Sequence, residues 1–159
     1  MRGMALLAFC ALAAFGSASI QDFSLVGSFV AVRQSSSEEP HCYGWSLELW
    51  RHKGRHLGLL DRHEGLCGDP PCWALADVSH DPKTGRLSFS AFDTRFVGTL
   101  TSTGVTGRLG DERLHMKRTK KSLDARPAKT LDEWCEFWRG VSRCKGVVEL
   151  CTSLGVGQQ

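Results

Sequence analysis

From residue 23 to residue 118, apolar and polar side chains alternate in short runs, and nearly every run ends in a turn signal. Leu25, Gly27, Phe29 and Ala31 share one face of a first strand, with Val26, Val30 and Val32 on the other. The polar stretch 34–40 (QSSSEEP) has nothing to bury. Tyr43, Trp45, Leu47 and Leu49 then alternate with Gly44, Ser46 and Glu48, the two-residue period of a half-buried strand. Lys53-Gly54 turns the chain, residues 55–62 run back through Leu57 and Leu59, and residues 65–71 form a loop before a strand at 72–80. Asp81-Pro-Lys-Thr-Gly85 is the strongest hairpin signal, because Pro82 presets φ for a type I turn and Gly85 supplies the positive φ that closes it. Leu87, Phe89 and Ala91 form the next inward face, and Phe96, Gly98 and Leu100 follow. Turns at 102–104 and 110–111 separate two last strands, one with Val105 and Leu109, the other with Leu114 and Met116.

This pattern predicts an all-β fold: an antiparallel meander barrel of about eight strands over residues 20–118, since closing such a sheet removes both of its edges. Residues 119–129 read as a charged linker. Thr130-Leu-Asp-Glu133 has the form of a capping box and opens a C-terminal α-helix expected over 130–151. Trp134, Phe137, Trp138 and Val141 fall on one face of it and suit docking on an end or side of the barrel. Residues 152–159 (TSLGVGQQ) are expected to be a flexible tail.

The N-terminus changes the picture. Met1-Arg2 is a positive start, residues 4–15 (MALLAFCALAAF) are an unbroken apolar run, and Gly16-Ser17-Ala18 offers small residues for cleavage. That order predicts a signal peptide over residues 1–19, and the run is too short for the roughly 20 residues of a spanning helix. A secreted or periplasmic location follows. Six cysteines remain after the leader: Cys42, Cys67, Cys72, Cys135, Cys144 and Cys151. In an oxidising compartment three disulfides are the expectation, and six cysteines allow 15 pairings. Cys67-Gly-Asp-Pro-Pro-Cys72 is the easiest local closure, which would leave Cys42 to join the C-terminal segment.

Charge and motifs mostly exclude functions. Basic residues number 20 against 17 acidic ones, a formal net charge of +3, too balanced to imply nucleic acid. The basic cluster Arg113, Lys117, Arg118, Lys120 and Lys121 lacks the interleaved aromatics of a single-strand platform. Asn is absent, so no Asn-linked glycosylation acceptor exists. His52, His56 and His63 could meet at a metal only through a particular register, and they read as solvated residues near strand ends; no metal or cofactor is expected. Glu48, Asp61, Asp77 and Asp93 read as surface carboxylates. No His lies beside a Ser or Cys in any known nucleophile context, so no catalytic residue is assigned. Trp45, Trp73 and Phe89 are the candidate ligand-lining set.

Gly27-Ser28-Phe29 stands on the first strand where lipocalins and avidins place Gly-x-Trp, and Arg118 ends the last strand where they place a basic residue over that ring. Over about residues 23–118 the chain resembles these calycin-type barrels at the level of architecture. The resemblance implies a non-catalytic binding protein holding a small apolar ligand in the barrel mouth. The alternative is recognition of an extracellular protein, such as an enzyme to be inhibited, through the 34–41 and 64–71 loops. A small hydrolase or metal-binding protein is the third reading. A cavity inside the barrel would favour the first, and a filled core with a projecting loop the second.

Overall fold

The computed structural model describes residues 22–68, 70–120, 128–141 and 143–157; the expected signal peptide lies outside them. Eight antiparallel strands follow one another: β1 Phe23–Gln34, β2 His41–His52, β3 Arg55–Leu66, β4 Cys72–His80, β5 Arg86–Ala91, β6 Thr94–Leu100, β7 Gly104–Leu109 and β8 Glu112–Thr119. Each pairs with the next, and β1 pairs with β8, so the meander closes into a barrel. The Asp81–Gly85 turn forms as expected. Gly85 has φ 72°, and Asp81 accepts from the Lys83 N–H (2.9 Å) and the Thr84 hydroxyl (2.7 Å).

The interior is filled. Phe29, Leu47, Leu49, Leu60, Leu75, Leu87, Phe89, Phe96 and Met116 are all fully buried in one cluster. An eight-stranded barrel is just wide enough for its own side chains, and here large ones take the space. At one end Arg118 closes the barrel: its guanidinium lies 4.8 Å from the Phe29 ring centroid, and it donates to the carbonyls of Val26 (2.9 Å) and Ser102 (2.8 Å). Gly27 makes room for this, since a Cβ there would strike the guanidinium and the Phe29 ring.

Two bulges re-aim side chains, because a one-residue slip moves a strand's whole set to the other face. The register of β1 on β2 shifts between Leu25 and Gly27. The expected common face for Leu25, Gly27, Phe29 and Ala31 is therefore broken: Leu25 is exposed, while Phe23 is buried outside the barrel, stacked on Trp50 with ring centroids 4.8 Å apart. A second shift, between β3 and β4, brings both Leu75 and Val78 against the interior cluster.

The C-terminal segment covers the outside of the wall. The 130–151 stretch expected as one helix is two, α1 Leu131–Arg139 and α2 Val147–Ser153, separated by a two-residue strand, β9 Cys144–Lys145. Gly140 and Gly146, the latter at φ 78°, end one helix and open the other. Leu131, Trp134, Trp138, Val147 and Leu150 bury against Phe23, Trp50, Leu57, Leu59 and Ala74. Strands β2 and β3 are consequently buried on both faces, and Leu57 and Leu59 point under the helices while Leu60 points inside. Residues 152–157 are not a free tail: the Val156 N–H donates to the Cys151 carbonyl (3.0 Å), and Arg139 donates to the Val156 carbonyl (2.6 Å).

The disulfides are Cys42–Cys67, Cys72–Cys144 and Cys135–Cys151. The expected Cys67–Cys72 closure does not form. Cys42 faces Gly65 across the β2–β3 ladder and so meets Cys67 just beyond it, while Cys72 lies opposite Cys144 on β9. Three such bonds fit an oxidising compartment.

Candidate functional site at the open end of the barrel

The end opposite Arg118 gathers the 34–40 loop, the 67–71 loop and the turns at 92–93 and 110–111, by the topology of a closed meander. Three features shape it. The first is a split in the wall. β4 and β5 pair only through Ser79–Ser88 and His80–Leu87. Nearer the mouth β9 takes the β5-facing edge of β4, pairing with Cys72 and Trp73. Asp77 bridges part of the gap, accepting from the Ser90 N–H (3.0 Å) and hydroxyl (2.8 Å).

The second feature is an aromatic cluster in the mouth. Phe92 lies between Trp73, centroids 4.3 Å apart, and Trp45, 5.5 Å away edge-on. Arg62 sits over the Trp45 ring at 5.5 Å and Lys145 over the Trp73 ring at 4.8 Å, and the Trp45 indole N–H donates to Glu112 (2.7 Å). Phe92 (φ 52°) and Asp93 (φ 57°) both adopt the left-handed conformation of a tight hairpin turn, which usually falls to Asn-Gly. For a phenylalanine that backbone is strained, by about 1–2 kcal/mol. The strain is borne where it places a ring in the mouth.

The third feature is a disulfide-pinned ribbon. The β1–β8 ladder covers only Ser28–Val30, and the β3–β4 ladder stops at Asp61. The ends of β1, β2 and β3 therefore continue past their outer neighbours as a three-stranded ribbon, pinned by Cys42–Cys67. It presents Tyr43 (53% exposed), stacked on His41, and Leu66 (69% exposed).

Of the predicted lining set, Trp45 and Trp73 meet in this mouth through Phe92. Phe89 does not join them: it is fully buried, stacked on Phe96 at 4.6 Å. Phe92 escaped sequence reasoning, although a two-residue link between alternating strands (Ala91-Phe92-Asp93-Thr94) without Gly or Asn was its available signal.

Polar groups collect elsewhere. Glu48 and Asp61, expected on the surface, are buried on the outer wall beneath the C-terminal segment. Ser28 donates to Glu48 (3.2 Å), and Asp61 pairs with Arg143 (3.3 Å), which also donates to the Pro70 carbonyl. A Ser and a His meet here through the fold: Ser46 Oγ lies 3.0 Å from His63 Nε2. The same hydroxyl also lies 3.0 Å from Asp61 Oδ2, so Ser46 bridges the carboxyl and the imidazole. Through Arg143, the cluster clasps the C-terminal segment to the barrel. Burial pushes the Asp61 carboxyl up, partly offset by Ser46 and Arg143, and burial followed by Arg143 pushes His63 down. The histidines do not converge: His52 lies beside Phe23, His56 beside His80 and His63 beside Ser46. Among the described residues no group of three His, Cys, Asp or Glu side chains could hold a metal ion.

The fold and this end together define a closed meander barrel with a filled interior and an aromatic, disulfide-pinned rim. Its architecture, with Arg118 over Phe29, is consistent with the lipocalin- and avidin-like barrels. Comparison with protein-family models, with curated proteins and with solved structures finds no match to the chain.

Proposed function

We propose that this chain is an exported, non-catalytic binding protein that recognises another extracellular protein with the open end of its barrel. The observation that carries the reading is the contrast between a barrel interior occupied by its own side chains and a rim that displays Tyr43 and Leu66 on a disulfide-pinned ribbon. Rigid aromatic groups lose little entropy on binding and are the usual anchors of protein interfaces. The test is capture from the fluid into which the chain is exported, with wild type and a Tyr43→Ala/Leu66→Ala variant of unchanged circular dichroism. A single protein held by wild type and released by the variant is expected. Equal retention by both overturns the reading.

A second reading is favoured by the half-buried Trp73 and Phe92, which with Trp45 offer an apolar face at the split in the wall. A small aromatic or aliphatic ligand would rest there, flanked by Arg62 and Lys145, rather than enter the barrel. Native mass spectrometry of protein from its own source separates the two: a retained small molecule, lost in Trp73→Ala, supports the second.

A further inference from the structure

The outer face of β5–β8 is cationic, although the chain as a whole carries a formal net charge of only +3. Alternation turns Leu87, Phe89, Phe96, Val105, Leu114 and Met116 into the barrel, so Arg86, Arg95, Arg108, Arg113, His115 and Lys117 face out, all of them exposed. The carboxylates lie elsewhere. Asp132, Glu133, Glu136 and Glu149 stand exposed on the helices that cover β2 to β4, across the barrel. Nearer the face, Asp77 is taken by Ser90 and Glu112 by the Trp45 indole. Among the described residues the one ion pair at this face is Arg108 with Asp111, exposed and 3.9 Å apart.

Ladder register draws these cations together. Arg108 faces Arg113 directly across β7 and β8, and Val97 faces Arg108 across β6 and β7, with Arg95 two residues from Val97 on the same side of β6. Arg95 in turn donates to Ser88 (3.1 Å), the β5 partner of Val97. Three arginines thus stand on three adjacent strands, within about 10 Å of sheet. Like charges set directly opposite on a sheet cost stability. The side chains of Arg86, Arg113 and Lys117 have no hydrogen-bond or ion-pair partner among the described residues to offset that cost, and a bound anion would. The next row across the strands, Thr99, Thr106 and His115, adds hydrogen-bonding groups, with the Thr106 hydroxyl 2.8 Å from His115 Nδ1.

The strands of this face expose no aromatic ring on which a single-stranded base could stack, and a smooth barrel wall has nothing to enter a duplex groove. Val97 (44% exposed) is its one exposed large apolar side chain among the described residues, too little to anchor in a membrane interface or in the apolar centre of a protein interface. What such a face recognises is a hydrated chain met by charge and hydrogen bonds alone. A carboxylate's two oxygens are filled by one guanidinium fork. A sulfate has three, and can span two arginines about 5 Å apart on neighbouring strands, as Arg108 and Arg113 are. We propose that the outer face of β5–β8 binds a linear sulfated polysaccharide. Its sulfates lie on Arg95, Arg108 and Arg113, Arg86 and Lys117 extend the contact, and Thr99 and Thr106 meet its hydroxyls. The site is on the barrel wall and is independent of the rim and of its partner.

The experiment is calorimetric titration of the oxidised protein with heparin, with fully desulfated heparin that keeps its carboxylates, with a DNA duplex and with phosphatidylglycerol vesicles, at equal charge concentration. Heparin is expected to bind saturably, with an affinity that falls as salt rises, and each other probe to bind at least about tenfold more weakly. Arg108→Ser/Arg113→Ser should weaken heparin about tenfold and make the salt dependence shallower. Arg86→Ser/Lys117→Ser should act in the same direction, and keeps the test open if the first variant fails to fold. Arg55→Ser/Lys129→Ser removes the same net charge from exposed positions at the start of β3 and before α1, and should leave heparin binding near the wild-type value, as should Tyr43→Ala/Leu66→Ala. Absence of saturable heparin binding, equal or tighter binding of another probe, or equal binding by the face variants and the Arg55→Ser/Lys129→Ser control overturns the proposal.

Discussion

The Cys72–Cys144 disulfide should be the most stabilising of the three, and replacing both of its cysteines with alanine tests the architecture directly. It joins β4 to β9 across 72 residues of sequence, whereas Cys42–Cys67 spans 25 and Cys135–Cys151 spans 16. On the chain-entropy account, cross-links of these lengths restrict the unfolded chain by about 4.4, 3.5 and 3.1 kcal/mol respectively. Burial widens the gap at the top. Cys72 is fully buried against the outer wall, so removing its sulfur also sacrifices packing, while Cys67 is exposed. The consequence is also local: β9 sits beside Cys72 and Trp73 because residue 144 is tied there, so its release should loosen Lys145 from the Trp73 ring. Urea unfolding of the three double-alanine variants, followed by tryptophan fluorescence and by far-ultraviolet circular dichroism, measures the order. We expect the largest loss for Cys72→Ala/Cys144→Ala, together with a change in native-state tryptophan emission. If that variant loses less than Cys42→Ala/Cys67→Ala, or less than about 1 kcal/mol, then the C-terminal segment is not integral to the barrel and the reasoning fails.

Other outcomes follow from single contacts. Arg118→Met removes two charge-assisted hydrogen bonds and the contact with the Phe29 ring, and should cost about 2 kcal/mol in a denaturant titration; an unchanged midpoint would show that the plug carries no weight. Asp93→Gly relieves one left-handed residue of the 92–93 turn and should raise stability by about 0.5–1 kcal/mol, visible as a higher melting temperature, with no gain refuting the strain argument. His56 and His63 are both held below the ordinary value of 6.5, first by burial, with His80 and Arg51 adding to the effect on His56 and Arg143 to that on His63. The folded chain therefore resists these protons more than the unfolded one. The resulting stability is complete above pH 6.5 and is lost as pH falls through the lowered folded-state values. Asp61, raised by burial, has the opposite slope: its contribution is lost as pH rises from 3.8 through its raised value. Replacing both histidines with Gln leaves Asp61 in place and should flatten the fall in urea midpoint between about pH 7 and 5; an identical slope in the variant contradicts the assignment.

Much of the barrel was legible because a two-residue period has few structural meanings. Leu47 and Leu49, or Leu87 and Phe89, alternate with polar neighbours and can only share one face of a strand, and Asp81 to Gly85 can hardly be anything but a tight turn. The site was less legible. Trp45 and Trp73 stood out as large aromatics on strands, but that Phe92 would join them depended on a backbone conformation that phenylalanine rarely accepts. Phe89 shares a strand pattern with true rim residues, and only its depth in the barrel separates it from them.

By itself the chain's pattern determined an eight-stranded antiparallel barrel, because strand alternation and turn chemistry are local and each run was consistent with its neighbours. Only the tertiary structure decided which cysteines meet, since pairing is set by ladder register and not by spacing: Cys72 lies opposite Cys144, far along the chain, and not beside Cys67. It also decided that one wall is buried on both sides, which hides Glu48 and Asp61. Burial is a property of what packs against a strand, and the helices that cover this one lie more than 60 residues further along the chain.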